Sequence, residues 1–375
     1  MAKLKILFLA LVVAPSCAAV RASAQTLFPP NLATAVNPDV QLALTFENAP
    51  RVGRSGTIRI YDASDDRLVD VLDLSVPPGP TTPVDPAVRA KEYLAFPYPY
   101  ARTARATNRD TKPGTPSAGA VPTPDTYQLT IIGGFIDGFH FYPITVDGRT
   151  ATIHPHHDLL DYGRTYYVQI DREALDVPNG AFGGIAGKAA WRFTTKPRAQ
   201  APRSDATDLV VSANGSGDFC TVQGALDFVP DHAARRVTIH VRNGVYEEIV
   251  YVRNKDHVTL VGESQERTIV RYANNEVFNP HPANIRTNPE PGTFPSRRAA
   301  VAIDNCNDIH VVNMTLQTTA SGQAEGLLIT GDRNILSHVR VIGSGDALQA
   351  NGRIYMADST VVGAGDTLYA FALPR

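Results

Sequence analysis

The chain has 375 residues, 35 of them Lys or Arg and 37 Asp or Glu, with 43% hydrophobic residues and three cysteines. It is long enough for two domains with their own cores and too poor in cysteine for a disulfide-held scaffold. Beyond residue 24 there are 32 basic and 37 acidic residues, which argues against general nucleic-acid binding, since that rests on neutralising phosphates with Lys and Arg.

The N-terminus reads as an export signal over residues 1–24. Lys3 and Lys5 precede the apolar run Ile6 to Ala14, and Ala22-Ser23-Ala24 offers a small-x-small cleavage site before Gln25. The apolar run is about half the ~20 residues a membrane span needs, and no later segment comes close. A lipoprotein signal at Cys17 fits poorly with Ala14 and Pro15 before it. The expectation is a secreted or periplasmic chain with no membrane span, cleaved after Ala24. Cys220 and Cys306 then remain, and two separate buried thiols are expected rather than a bridge.

Residues 29–196 read as a first domain. Short alternating runs occur at Gln41 to Phe46, Thr57 to Tyr61, Tyr127 to Ile132, Tyr166 to Ile170 and Trp191 to Thr195. Asp147-Gly148, between Ile144-Thr145-Val146 and Ala151-Thr152-Ile153, predicts a hairpin turn at those two residues, with positive φ at both. Short strands with turn punctuation and little helical periodicity imply a β-sandwich. The pattern Leu160-x-Tyr162-Gly163-x-Thr165-Tyr166, followed by Trp191-Arg192-Phe193-Thr194-Thr195, resembles a bacterial Ig-like domain. Val76 to Pro124 is a Pro-rich insertion, read as a surface excursion. His154, His156, His157 and Asp158 are metal-ligand types, but they follow a strand around Pro155 and a polar strand exit is the better reading. Residues 197–206 read as a linker.

Residues 207–375 change character. Leu209-Val210-Val211 leads to Asn214-Gly215-Ser216-Gly217-Asp218-Phe219 and an amphipathic stretch from Thr221 to Phe228. Apolar runs follow at Val237 to Val241, Ile249 to Val252, Val258 to Val261 and Ile309 to Leu316. One helix followed by many strands does not suit a doubly wound sheet. Ser337 to Leu348 realigns with Ala357 to Leu368 at an offset of 20 residues, with two glycines, an aspartate and a leucine in register. A period of this size with strand-type sequence indicates a β-solenoid. Successive coils sit ~4.7–4.9 Å apart, so Asp346 and Asp366 should stack and share a proton. Such a pair supplies a base or nucleophile and an acid at one pH, although an Asp ladder that merely caps turns is also compatible.

Five motifs then occur in order: Asn214 to Gln223, Gly244-Val245-Tyr246-x-Glu248, Gln323-Ala324-x-x-Leu327, Gly345-Asp346-x-Leu348 and Gly365-Asp366. Together, over roughly Asp208 to Tyr369, they resemble the pectin methylesterase (pectinesterase) family. With the Ig-like sandwich read for the first domain the chain is expected to be all-β, and the pectinesterase resemblance implies for the second an incomplete right-handed parallel β-helix acting on methyl-esterified pectin without metal or organic cofactor. It implies Asp366 as carboxylate nucleophile, Asp346 as general acid and base, and Gln323 as oxyanion donor, with Tyr246 and Glu248 structural. Two departures stand out. Gly345 occupies a position where the family commonly has a second Gln. The Arg that the family places beyond the nucleophile, with a nearby Trp, has no counterpart before the chain stops at Arg375. The resemblance therefore implies C-terminal truncation and an uncapped last coil. The alternatives are a pectin-binding protein without turnover and another β-helix galacturonan hydrolase, since retaining glycosidases also hold two carboxyls ~5–5.5 Å apart.

Overall fold

A computed structural model describes residues 25–81, 127–133, 138–178, 182–279 and 297–371. The export signal and residues 82–124 of the Pro-rich region lie outside the described residues.

Two larger sheets frame the first region. Gln25–Phe28, Leu42–Phe46, Thr150–Ile153 and Ile144–Asp147 form one, wholly antiparallel. Ala33–Val36, Arg192–Thr195, Thr165–Ile170, Thr57–Asp62 and Leu68–Asp73 form the other, antiparallel except where Ala33 pairs with Phe193. Alternating side chains bury Leu42, Leu44, Ile58, Ile60, Val168 and Phe193 in one core. Trp191 is fully buried there, its indole N–H donating to the Pro29 carbonyl at 2.9 Å. The hairpin turn sits one residue later than the sequence suggests. Asp147 pairs with Thr150, so Gly148 and Arg149 are the loop, and of these only Gly148 has positive φ, +56°. That is the arrangement in which Gly is needed only at the first central position.

From Asp208 the pairing becomes parallel, and the chain runs repeatedly through three ladders. The first contains Asp208–Val211, Val237–Val241, Val258–Gly262, His310–Val312 and the second halves of Leu327–Ser337 and Leu348–Ala357. The second contains Gly244–Glu247, Thr268–Tyr272, Thr315–Thr318, Arg340–Ile342 and Thr360–Val362. The third contains Val250–Arg253, Val301–Asn307, the first halves of the two long strands, and Leu368–Phe371. Residues in register make interior columns, as Leu209, Ile239, Leu260, Val311, Leu336 and Met356 do in the first ladder. Because equivalent aliphatic side chains stack coil upon coil, one continuous core fills the coil interior.

The run Ile309 to Leu316, which reads as one strand, is two. Asn313 adopts φ +56° and bends the chain, so His310–Val312 and Thr315–Thr318 join different ladders. The Asn313 amide donates to the Gly262 carbonyl of the preceding coil at 2.9 Å, which fixes the bend. Cys220 and Cys306 are separate buried thiols.

The two regions share a core. Val40, Phe139 and Phe141 of the first pack in one cluster with Ile249, Tyr251, Tyr272, Phe278, Ala299, Ala300, Ala302 and Leu328 of the second. Among the described residues no helix is long and apolar enough to cross a membrane.

Candidate active site

The corner between the second and third ladders carries Gln323, Asp346 and Asp366 on three successive coils. Register fixes this placement. Ile342 pairs with Val362 on one side of the corner and Leu348 with Leu368 on the other, so Asp346 and Asp366 occupy matching positions. One coil earlier, Gln323 bridges to Gly345. Backbone bonds of 3.0 Å from Ala324 to Gly345, Ser344 to Ala324 and Ala364 to Ser344 tie the three corners together. Asp346 is 8% exposed and has φ +58°, a conformation Asp tolerates better than most residues. Asp366 and Gln323 are exposed.

A cation not anticipated from the sequence enters the same corner. Arg298 Nη2 donates to Asp346 Oδ2 at 2.9 Å, Nε donates to Glu325 Oε1 at 2.6 Å, and Nη1 donates to Gln323 Oε1. Glu276 Oε2 lies 4.0 Å from Nη1. The Glu325 side chain is fully buried, and its Oε2 has no hydrogen-bond partner among the described residues. Burial raises the Glu325 carboxyl to about 7 against the pull of Arg298. Little in the local sequence betrays Arg298: it follows Arg297 and precedes the apolar Ala299-Ala300-Val301, and it meets Gln323, Glu325 and Asp346 across coils. A basic residue directly before a buried strand was the one available signal.

Residues 208–372 match the family model described as Pectinesterase. Those residues form a pectinesterase-family domain. Pectinesterase 31 of Arabidopsis thaliana is 32% identical over 164 residues, which is 42% of this chain and 50% of the relative. Pectinesterase QRT1 of the same plant is 33% identical over 175 residues, 44% of each chain. Probable pectinesterase 30 is 29% identical over 176 residues, 46% of this chain and 31% of that protein. The chain thus spans half or less of the length of these curated relatives. Solved pectin methylesterases from carrot and from Erwinia chrysanthemi are 23% and 20% identical, with TM-scores of 0.33 and 0.35. They cover 44% and 46% of this chain and 49% and 53% of theirs.

Other pectinesterase-like motifs hold the start of the solenoid. Glu248 stands at the same corner on the first coil, where its two oxygens accept the backbone N–H groups of Val222 and Gln223 at 2.8 and 3.0 Å. Together with the Thr221 side chain, which accepts from Gly224, it satisfies the N-terminal donors of the helix Val222–Phe228. Asp39 of the first region joins this cap, its Oδ2 accepting from the Cys220 and Thr221 N–H groups and the Thr221 hydroxyl, each at 2.8 Å. Tyr246 is buried and donates to the Arg242 carbonyl at 2.8 Å.

The histidine run belongs to this junction. His154 Nε2 lies 2.8 Å from the Thr145 hydroxyl, His156 Nδ1 is 2.7 Å from Asp70, and His157 Nε2 is 2.5 Å from Asp227 across the junction. His154, His156, His157, Asp158, Gln223 and Glu248 line a cavity there. Among the described residues no group of three or more His, Cys, Asp or Glu side chains is placed to hold a metal ion.

Proposed function

We propose that this chain is a pectin methylesterase-type enzyme that hydrolyses methyl esters of polygalacturonate to pectate and methanol. The observation that carries this reading is the placement of Gln323, Asp346 and Asp366 on successive coils at one corner of a pectinesterase-family domain. Asp366 attacks the ester carbonyl as a carboxylate and forms an acyl-enzyme anhydride. The Gln323 amide donates to the oxyanion. Asp346 protonates the departing methanol and then takes a proton from the water that cleaves the anhydride. Arg298 engages Asp346 Oδ2, which leaves Oδ1 to carry the transferable proton. With Gly345 beside Asp346, Gln323 supplies the side-chain donor at this level of the corner.

The companion readings follow the same line. The solenoid is a right-handed parallel β-helix, the first region an Ig-like sandwich, and the protein is exported to methyl-esterified pectin outside the cell by the signal of residues 1–24.

Methanol release from methylated polygalacturonate tests the activity directly. Asp366→Asn should abolish release while leaving the melting profile unchanged. Near-normal turnover by that variant would remove Asp366 from the nucleophile role. New reducing ends without methanol would indicate glycosidic cleavage instead, and binding without either product a non-catalytic pectin protein.

A further inference from the structure

We infer that Arg298 is the positioning residue of this corner: it turns the Gln323 amide so that its NH₂ group meets the substrate oxyanion, and it pins one oxygen of Asp346. This inference rests on the esterase reading above and adds to it a residue that acts through the two groups it holds.

The argument begins with donor chemistry. A guanidinium has five N–H donors and no acceptor. A Gln side chain facing it must therefore present its carbonyl oxygen, and Gln323 does so, with Oε1 accepting from Nη1. The two hydrogens on Gln323 Nε2 then face away from the cation. Without the cation, either amide face could turn to the groove, and a carbonyl oxygen there would repel an oxyanion.

Each of the three partners takes a different nitrogen of the same plane: Nη1 serves Gln323, Nη2 serves Asp346 and Nε serves Glu325. The fork is rigid, so fixing it on one coil fixes the relative placement of groups on the next two. The side chains of Arg298 and Asp346 are each 11% exposed, and that of Glu325 is fully buried. Glu325 thus anchors the guanidinium from the interior, and the solvent side of the cluster is the side carrying Gln323. A lysine could offer charge at this position but not three directed donors.

The test must separate positioning from folding. Removing Arg298 alone leaves the buried Glu325 carboxyl without its counter-charge, which is destabilising. The comparison is therefore Arg298→Met/Glu325→Gln against Glu325→Gln, each with and without Gln323→Ala, in the intact chain. In the Glu325→Gln background, Arg298→Met should lower kcat about 10²-fold, the scale of losing one oxyanion donor, with KM changed less than about threefold. Most of that loss should vanish when Gln323 is already Ala, because both changes remove the same oriented donor. An Arg298→Lys variant should recover only part of the rate. Equal losses in both Gln323 backgrounds, a loss confined to KM, or no loss would each overturn the inference.

The side-chain amide resonances of ¹⁵N-labelled Gln323, assigned through Gln323→Ala, give a second readout that needs no turnover. They should be two separated signals that shift together when Arg298 is replaced. If the intact chain releases no methanol, the esterase reading fails by that result alone, and the amide signals decide the positioning: displaced signals support it and unmoved signals overturn it.

Discussion

Replacing Gly331 with Ala should be among the costliest single methyl additions to the solenoid wall. Gly331 lies within Leu327–Ser337 where that strand rounds a corner, with φ +125°. It pairs with Cys306 on one coil and Gly352 on the next. A Cβ at Gly331 would sit 1.9 Å from the Cys306 carbonyl oxygen, and one at Gly352 would sit 1.9 Å from the Gly331 carbonyl oxygen. Ordinary carbon–oxygen contacts begin near ~3.3 Å, so the backbone would have to move by more than an ångström between two hydrogen-bonded neighbours. Backbone strain of ~1–2 kcal/mol, overpacking of ~1–3 kcal/mol and a weakened ladder bond of ~1 kcal/mol together give about 4 kcal/mol. At ~2–4 °C per kcal/mol for a domain of this size, calorimetry should record a fall in Tm of about 10 °C. Gly148→Ala is the control: φ is +56° but nothing lies within 4 Å of the added carbon, so only ~1 kcal/mol of backbone strain remains. If Gly331→Ala melts within about 3 °C of the parent, or no lower than Gly148→Ala, the corner is not as closely stacked as the register implies.

Asp304→Asn should destabilise the chain by ~3–5 kcal/mol in urea unfolding, because it removes the buried carboxylate 2.5 Å from the Arg253 guanidinium, whose side chain is 1% exposed; an unchanged midpoint would show the pair to be neutral. Burial lifts the Glu248 carboxyl from 4.5 to about 7 in the fold. The folded state therefore binds the extra proton, so the stability it favours is fully present below pH 4.5 and is lost as pH rises through 7, by up to ~3 kcal/mol. Glu248→Gln should flatten that part of the pH–stability curve, and a curve unchanged by the substitution would refute the assignment. Burial works against a charged ring at His157, but Asp227, Asp158 and Glu248 outweigh it and raise the imidazole from 6.5 to about 9. Its contribution should be complete below pH 6.5 and disappear as pH rises through 9; Asp227→Asn should remove the step, as followed by thermal melts at pH 6 and 9.5.

How much of this was legible in the sequence depended on where each signal resides. Val237–Val241 is a strand at the expected residues because its alternation is local and its interior face is wholly aliphatic. The 20-residue offset was visible because the last coils have short corners, so Ser337 pairs with Ala357 and Leu348 with Leu368 without interruption. Earlier coils hide the same architecture behind longer corners: Thr259 pairs with His310, a separation no fixed-period comparison detects. The helix start at Thr221 was readable from its own residues, yet two of its cap partners, Asp39 and Glu248, come from elsewhere in the chain. His157 and Asp227 likewise carry no mutual signature. Arg298 was missed for the same reason. Its bonds to Gln323, Glu325 and Asp346 cross coils, and periodicity describes a residue's own strand.

The parallel ladders separate two quantities that are linked in most folds, namely sequence distance and spatial distance along the molecule. Ile269 pairs with Thr315 and Leu316 with Val341 in one ladder, although far more chain intervenes in the first case than in the second. The surplus leaves and returns at the corner that bears Arg298, Gln323, Asp346 and Asp366, and the register on either side is kept. Residues can therefore be inserted or deleted at that corner without altering the rise between one functional group and the next. Changes in the length of these excursions would alter the chain that leaves this corner, while Gln323, Asp346 and Asp366 keep their coil-to-coil spacing.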